Sequence, residues 1–290
     1  MAASDSFNCP ICNEPLKKIV RLPNKRRVYL CRNCGLRRLL PLPTNKALAK
    51  LYGRKKYYTE ELFELHNDLT VGYDWKKPII KLYQKHLREI KLASPQPKRL
   101  LEIGCARGVF LDMARSANYQ VHGIEANPYA ANYARKYFKL SVHAIKFENI
   151  KKKLGKFDII IAYDVLEHVP DPSAFIKKIE TFLKPGGLIV LGTPNSSSFL
   201  YKIAETVVLL SGGLIAYPLV RFYGRGIEHL SIFNPGNLKA LLEKRRLRVV
   251  KTYGYSIPLK NMIKVSGIYR SVLAVLAKQP YEFVMMGRKD

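Results

Sequence analysis

Leu100-Leu-Glu102-Ile-Gly104-Cys-Ala106-Arg-Gly108 is the stretch whose reading decides the fold. It is a short apolar run that ends in a carboxylate and two glycines, the composition needed where a buried strand turns sharply into a helix. A second apolar run, Val121-His-Gly-Ile-Glu125, closes on an acid 21 residues beyond Gly104. An acid there is placed to accept both hydroxyls of a ribose. The pair describes a nucleotide-type cofactor loop.

Outward from this loop, β-branched runs alternate with helical ones. Strands are predicted over 98–103, 120–125, 140–145, 157–163 and 187–192, and helices over 108–116, 128–138 and 172–183. Apolar runs at 248–253 and 281–287 would close the sheet as an antiparallel pair. The fold class is therefore α/β, a doubly wound, mostly parallel, seven-stranded Rossmann-like sheet. Helical spacing over 74–92 and the break Ser94-Pro-Gln-Pro97 place the start of this domain at 98, running to 290, with residues 44–97 as a helical linker and cover.

The loop also discriminates between cofactors. A dinucleotide fingerprint would need glycine at positions 106 and 109, which are Ala106 and Val109. Without the second glycine the backbone does not come close to a pyrophosphate, so a ligand lacking one is favoured. A Glu-x-Gly-x-Ala-x-Gly loop suits S-adenosylmethionine.

At this point the chain resembles the class I S-adenosylmethionine-dependent methyltransferases. The likeness runs through Leu100 to Gly108, Gly-Ile-Glu125-Ala-Asn, Phe157-Asp-Ile-Ile-Ile-Ala-Tyr163-Asp164-Val-Leu-Glu167-His168-Val-Pro-Asp-Pro172, and Phe182-Leu-Lys-Pro-Gly-Gly187 to Asn195. The resemblance implies that Glu102, Gly104, Ala106 and Gly108 shape the methionine pocket and that Glu125 binds ribose. It also implies that Ala126 lies beside the adenosine, that Ala144 and Ile145 flank adenine, and that Tyr163 closes the pocket near the sulfonium. Ala106 departs from the family's second glycine, and 144–145 lack its common Gly-Asp.

Asp164, Glu167 and His168 would share one face if a helical turn began at Asp164. The same string resembles the ubiquinone-type O-methyltransferases, where an acid-x-x-acid-His set holds a divalent ion against a catechol-like substrate. That implies Mg2+ or Mn2+. The alternative is that Glu167 and His168 cap a loop and line the cleft without metal. If the acceptor is a hydroxyl, His168 is the first candidate to take its proton and His229 the second. The contexts of His66, His86, His122 and His143 suit core or surface roles.

The N-terminal unit, residues 1–43, reads as a small zinc ribbon. Cys9-Pro-Ile-Cys12 and Cys31-Arg-Asn-Cys34-Gly35 are two thiolate pairs at ribbon spacing, with a hairpin's length between them. Four thiolates leave no open coordination position, so the Zn2+ would be structural. A redox CxxC is the competing reading. The ribbon followed by Leu51-Tyr-Gly-Arg-Lys-Lys-Tyr-Tyr58 resembles bacterial zinc-ribbon methyltransferases of surface-glycan, sugar and lipid-intermediate biosynthesis. Tyr52 to Tyr73 is expected to fold over the cleft.

An apolar insertion at 196–227 interrupts the domain. Its core, Val207 to Val220, is too short to span a bilayer but long enough for a lid or an interfacial contact, and Leu259 to Leu276 adds a second basic, apolar stretch. With 50 Lys+Arg against 22 Asp+Glu in 290 residues, the net charge of +28 fits an anionic partner, membrane or nucleic acid, or else a generally basic proteome. No signal peptide is seen, so a cytoplasmic location is expected, with peripheral contact to the membrane's cytoplasmic face. The oligomeric state stays open. The expectation is an enzyme that methylates, at oxygen, a small-molecule, glycan or lipid-linked acceptor. Its rivals are an rRNA or tRNA methyltransferase using the basic surface, against which the absence of an Asn/Asp-Pro-Pro-Tyr signature counts, and a non-catalytic cofactor-binding membrane protein.

Overall fold

Three helices start at a polar residue followed by proline, and those starts set the frame. Asn127-Pro128 opens α3 (Pro128–Phe138), Asp171-Pro172 opens α4 (Pro172–Phe182) and Asn234-Pro235 opens α6 (Pro235–Glu243). In each, the Asn or Asp oxygen accepts a first-turn backbone N–H while proline supplies a preset φ. The computed structural model describes residues 7–22, 26–44, 46–48, 78–96, 98–151, 154–215, 219, 221–223, 229–256 and 280–290. The expectations for Tyr52 to Tyr73, for Leu259 to Leu276 and for most of Asn45 to Leu51 lie outside these residues.

The main sheet comprises β4 (Arg99–Ile103), β5 (Gln120–Glu125), β6 (Val142–Ala144), β7 (Phe157–Tyr163), β8 (Leu183–Pro194), β10 (Leu247–Tyr255) and β11 (Glu282–Lys289). Its order is β10-β11-β8-β7-β4-β5-β6. β4 to β8 pair in parallel, and β11 runs antiparallel between β8 and β10, as the sequence predicts. One face carries α1 (Pro78–Ala93), α2 (Val109–Ser116) and α3, through a core including Ile90, Phe110 and Ala131. The other carries α4 and α6 through Phe175, Ile179, Leu238 and Leu241. β8 starts four residues before the predicted strand, because Leu183 already pairs with Phe157; the register then shifts across Lys184-Pro-Gly-Gly187, with Gly186 at φ +69°, and pairing resumes at Leu188.

A second, antiparallel sheet has the order β1-β2-β3-β9. β1 (Leu16–Arg21), β2 (Arg27–Cys31) and β3 (Arg37–Leu40) come from the cysteine-bearing N-terminus, whereas β9 (Ser231–Ile232) comes from the main domain. Cys9, Ile11, Leu36 and Leu40 join the same apolar cluster as Phe233 and Leu238. The N-terminal unit thus shares its sheet and its core with the rest. α5 (Phe199–Leu210), within the apolar insertion, packs Tyr201 and Val208 on Val20, Val28 and Leu39.

Gly108, the residue before α2, has φ +83°, and a Cβ there would lie 2.7 Å from Leu140 Cδ1 and 2.9 Å from Ala134 Cβ. Left-handed backbone costs a non-glycine residue about 1 to 2 kcal/mol before any overlap, and overpacking adds about 1 to 3. Gly108→Ala is expected to lower stability by about 2 to 5 kcal/mol, read as a lower urea midpoint with an unchanged m-value.

Candidate active site

The C-terminal edge of the parallel strands gathers nearly all the candidate residues. At the end of β4 the chain turns through two left-handed positions, Gly104 (φ +75°) and Ala106 (φ +47°), before Gly108. A Cβ at Gly104 would lie 2.5 Å from Val165 Cγ2. Ala106 tolerates its strained backbone because its N–H donates to Glu125 Oε2 at 2.8 Å. Glu125 Oε1 accepts the N–H of Asn127 at 2.7 Å. Cross-strand register sets Ala144 beside Glu125, with Ile145 next along the chain, and Ala126 lies between Glu125 and the N-cap of α3.

Glu102, on β4, is buried, and its Oε2 has no hydrogen-bond partner. Burial, helped by the Glu125 charge, pushes its pKa up to about 8. A desolvated carboxylate with a free oxygen is what the ammonium end of an amino-acid ligand requires. Together with the left-handed loop, it makes these residues fit S-adenosylmethionine. Tyr163 is more embedded than the sequence suggests: its ring stacks on His86 at 4.7 Å and meets Phe110 edge-on at 5.3 Å, leaving only its unpartnered hydroxyl as a polar tip. His86 itself is buried against Tyr253, with burial holding its pKa down at about 3.

The second half of the site follows β7. The expectation that Asp164 shares a helical face with Glu167 and His168 does not hold. Asp164 has φ +52°, and the one-turn 3₁₀ helix spans Leu166–His168 only. Asp164 instead opens into the cleft and accepts from Tyr255 Oη at 3.3 Å, with desolvation raising its pKa to about 6. Glu167 is fully buried. Its Oε2 accepts from Thr193 Oγ1 at 3.0 Å and its Oε1 has no partner.

His229 takes the place foreseen for Asp164. One ligand atom each from Glu167, His168 and His229 lies within 4.8 Å of the others, and the two imidazoles meet edge-to-face at 4.8 Å. The Phe222 carbonyl holds His229 Nδ1, so Nδ1 carries the proton and Nε2 is left as the acceptor. Burial lowers the His229 pKa to about 4. That makes it a weak proton acceptor at neutral pH but leaves it neutral, as a metal ligand must be.

Four contributors escaped the sequence reading: Tyr255, Thr193, Glu282 and Arg38. Glu282, an acid opening the apolar run of β11, is buried with Oε2 unpartnered, and its pKa is raised by burial and by Asp164 and Glu167. Its lone charge in Tyr281-Glu-Phe-Val-Met was the available signal. Arg38 had none. From β3, and almost wholly buried, its Nη1 donates to Ser231 Oγ at 2.7 Å and its Nη2 to the Pro170 carbonyl at 2.8 Å. These acceptors lie two residues after His229 and His168. Beside this edge a cavity of about 480 Å3 is lined by Asn195, Ser198, Lys202, Thr252, Tyr253 and Phe283, among others.

Away from the cleft, Cys9, Cys12, Cys31 and Cys34 offer four sulfurs within 4.8 Å of one another, with Sγ···Sγ of 3.5 Å for Cys9–Cys34 and 3.3 Å for Cys12–Cys31. Thiolates bound at about 2.3 Å in a tetrahedron would sit roughly 3.8 Å apart. The cluster is therefore compatible with a small structural zinc site.

Residues 76–252 match a family described as "Methyltransferase domain". A ubiquinone biosynthesis O-methyltransferase of Bordetella avium (strain 197N) is 32% identical over 135 residues, 43% of this chain and 56% of that protein. Its counterpart in Xanthomonas axonopodis pv. citri (strain 306) is 26% identical over 200 residues, 66% of this chain and 80% of that protein. The match covers 58% of the like-named protein of Thiobacillus denitrificans, so the chain spans little more than half of some curated relatives. Among solved structures, a magnesium protoporphyrin IX methyltransferase from Synechocystis PCC 6803 with bound S-adenosylhomocysteine superposes with a TM-score of 0.58. The superposition covers 85% of this chain and 100% of that one, at 14% identity, a likeness of fold.

Two outcomes follow from this geometry. The folded-state pKa of Glu102 lies above its unfolded value, so the carboxyl stabilises the fold while protonated, and that contribution is lost as pH rises from about 4.5 towards 8. Urea midpoints of ligand-free protein across this window should fall less steeply for Glu102→Gln than for wild type. Arg38→Met removes the donor to the buried Ser231 hydroxyl and to the half-buried Pro170 carbonyl and is expected to cost about 2 to 4 kcal/mol. It should also shift the histidine ring resonances of His168 and His229, which a purely local loss of stability would not move.

Proposed function

This chain belongs to the methyltransferase-domain family, and on that premise we propose that it moves a methyl group from S-adenosylmethionine to an oxygen of a small-molecule, glycan or lipid-linked acceptor. The observation that carries the cofactor half is the Glu125 carboxylate clamped to the Ala106 and Asn127 amides beside the orphan Glu102 oxygen. When bound, S-adenosylmethionine supplies a methyl group on a positively charged sulfur that is already a leaving group. Glu125 takes the ribose hydroxyls, Glu102 the methionine ammonium, and Gly104, Ala106 and Gly108 let the backbone come close. Ala126, Ala144 and Ile145 border the adenine, and Tyr163 borders the sulfonium side.

Positioning supplies most of the acceleration in such an in-line displacement. The acceptor enters from the edge where Asp164, Glu167, His168 and His229 converge, and His168 takes the hydroxyl proton at a ring nitrogen. Asp164 and Tyr255 orient the acceptor. The names of the relatives, ubiquinone biosynthesis O-methyltransferases, support oxygen and a small molecule over RNA.

A second reading concerns Glu167, His168 and His229, whose donor atoms and orphan Glu167 Oε1 suit a divalent cation. Two imidazoles with one carboxylate favour manganese or zinc over magnesium. Such an ion would lower the pKa of an acceptor hydroxyl. A structural Zn2+ at Cys9, Cys12, Cys31 and Cys34 belongs to the same proposal. Among the described residues no helix is long and apolar enough to cross a membrane.

Incubation of the protein with labelled S-adenosylmethionine and separated small-metabolite, lipid, glycan and RNA pools should label the small-metabolite, lipid or glycan pool; label confined to RNA would reject the acceptor assignment. Glu125→Ala should weaken cofactor binding by roughly ten- to a hundredfold, the worth of lost charge-assisted hydrogen bonds. His168→Ala should lower turnover by about 10² to 10⁴ with little change in cofactor affinity.

A further inference from the structure

α5 breaks the rule for a surface helix. Its inner face, Tyr201, Ala204 and Val208, packs on Val20, Leu22, Val28 and Leu39 of the N-terminal sheet. Its outer face is mostly apolar, with only Lys202 and Thr206 as exposed polar residues of the helix. Phe199, Ile203, Leu209 and Leu210 are exposed there, and the following turn adds Leu214 and Ile215. Among the described residues, 11 large hydrophobics are exposed, and these six fall within one span of 17 residues, 199–215. Leu210 and Leu214 are 85% and 93% exposed. Isolated apolar residues on a surface mean little, but an apolar cluster this dense at the exposed C-terminal end of a helix whose inner face is already buried calls for a second apolar neighbour.

The surroundings identify that neighbour. The turn after α5 rests on β1, where a Cβ at Gly213 would lie 3.4 Å from the Arg21 carbonyl oxygen. The hairpin from Leu16 to Arg32 carries seven basic residues, Lys17, Lys18, Arg21, Lys25, Arg26, Arg27 and Arg32, and no acid. Lys17, Lys18 and Arg21 are exposed on β1. The acid of α5, Glu205, is spent on Arg37 at 2.8 Å and takes no charge from the hairpin's exposed lysines and arginine. An apolar knuckle beside a uniformly basic hairpin complements a surface that is apolar below and anionic above.

We propose that the α5 knuckle is a docking surface for an anionic lipid bilayer. Leu209, Leu210, Leu214 and Ile215 enter the interfacial layer, and the β1–β2 hairpin meets the headgroup phosphates. With 12 residues, α5 is too short to span, so the contact stays at the interface. The inference goes beyond methyl transfer and stands without it, because it is read with no turnover.

The test uses the whole protein with sedimented vesicles of phosphatidylcholine, alone or mixed with phosphatidylglycerol. The expected result is binding to the mixed vesicles, weakened by salt, with little binding to phosphatidylcholine alone. Leu210→Asp combined with Leu214→Asp should lower the partition coefficient about tenfold or more, and Lys18→Glu with Arg21→Glu about tenfold. All four side chains are exposed, so melting temperature and cofactor affinity should hold. No binding to mixed vesicles, equal binding to both kinds, or full binding by the leucine variant would overturn the proposal. So would a wild-type dimer in solution that the leucine variant turns into monomer, since a second copy would then own this face.

Discussion

One buried carboxylate holds together the edge formed by the ends of β4 and β5. Glu125 accepts one backbone N–H from the loop after β4 and another from the start of α3, so it ties two turns to the end of β5. The strained backbone at Ala106 persists because that hydrogen bond repays it. The clamp has a cost: Glu102 lies near enough for the Glu125 charge to raise its pKa further above what burial alone would produce. Two acids desolvated side by side are poorly matched to each other and well matched to a cationic ligand with ribose hydroxyls.

The edge that gathers Glu167, His168 and His229 rests on contacts that cross the whole chain. Arg38, on a strand of the N-terminal sheet, grips the segments that follow both His168 and His229. The same sheet takes in β9, and the Leu230 N–H, next to His229, donates to the Glu167 carbonyl at 2.7 Å. Desolvation lowers the Arg38 pKa to about 10, and the residue stays charged at neutral pH, with Asp171 favouring that charge. The cysteine-bearing unit is thus part of the wall that aligns the histidines, and a structural ion at its four sulfurs would stiffen that wall.

Local chemistry explains why so much was legible. The β4 loop, the acid ending β5, the alternation of strands and helices and the antiparallel closing pair all depend on residues close together in sequence or on a period of apolar residues. Each appears in the structure near its predicted place. Where a local rule was extended across a turn it failed. A helical face from Asp164 to His168 assumed continuous helical backbone, but Asp164 takes a left-handed conformation whose N–H bonds the Gly192 carbonyl of β8 instead. β8 begins at Leu183 rather than 187 because Leu183 pairs with Phe157 ahead of a register shift over Lys184-Pro-Gly-Gly187, a pairing across strands that no apolar period marks.

By itself the sequence determined the doubly wound sheet, the cofactor loop and the four-cysteine cluster, because each follows from apolar period, turn chemistry or ligand spacing within a few residues. Only the tertiary structure decided that His229 joins Glu167 and His168, that Arg38 aligns them, that β9 extends the N-terminal sheet and that the outer face of α5 is left apolar. Those four depend on which distant segments meet. No spacing rule encodes that meeting, since it comes from burying two sheets in one shared core.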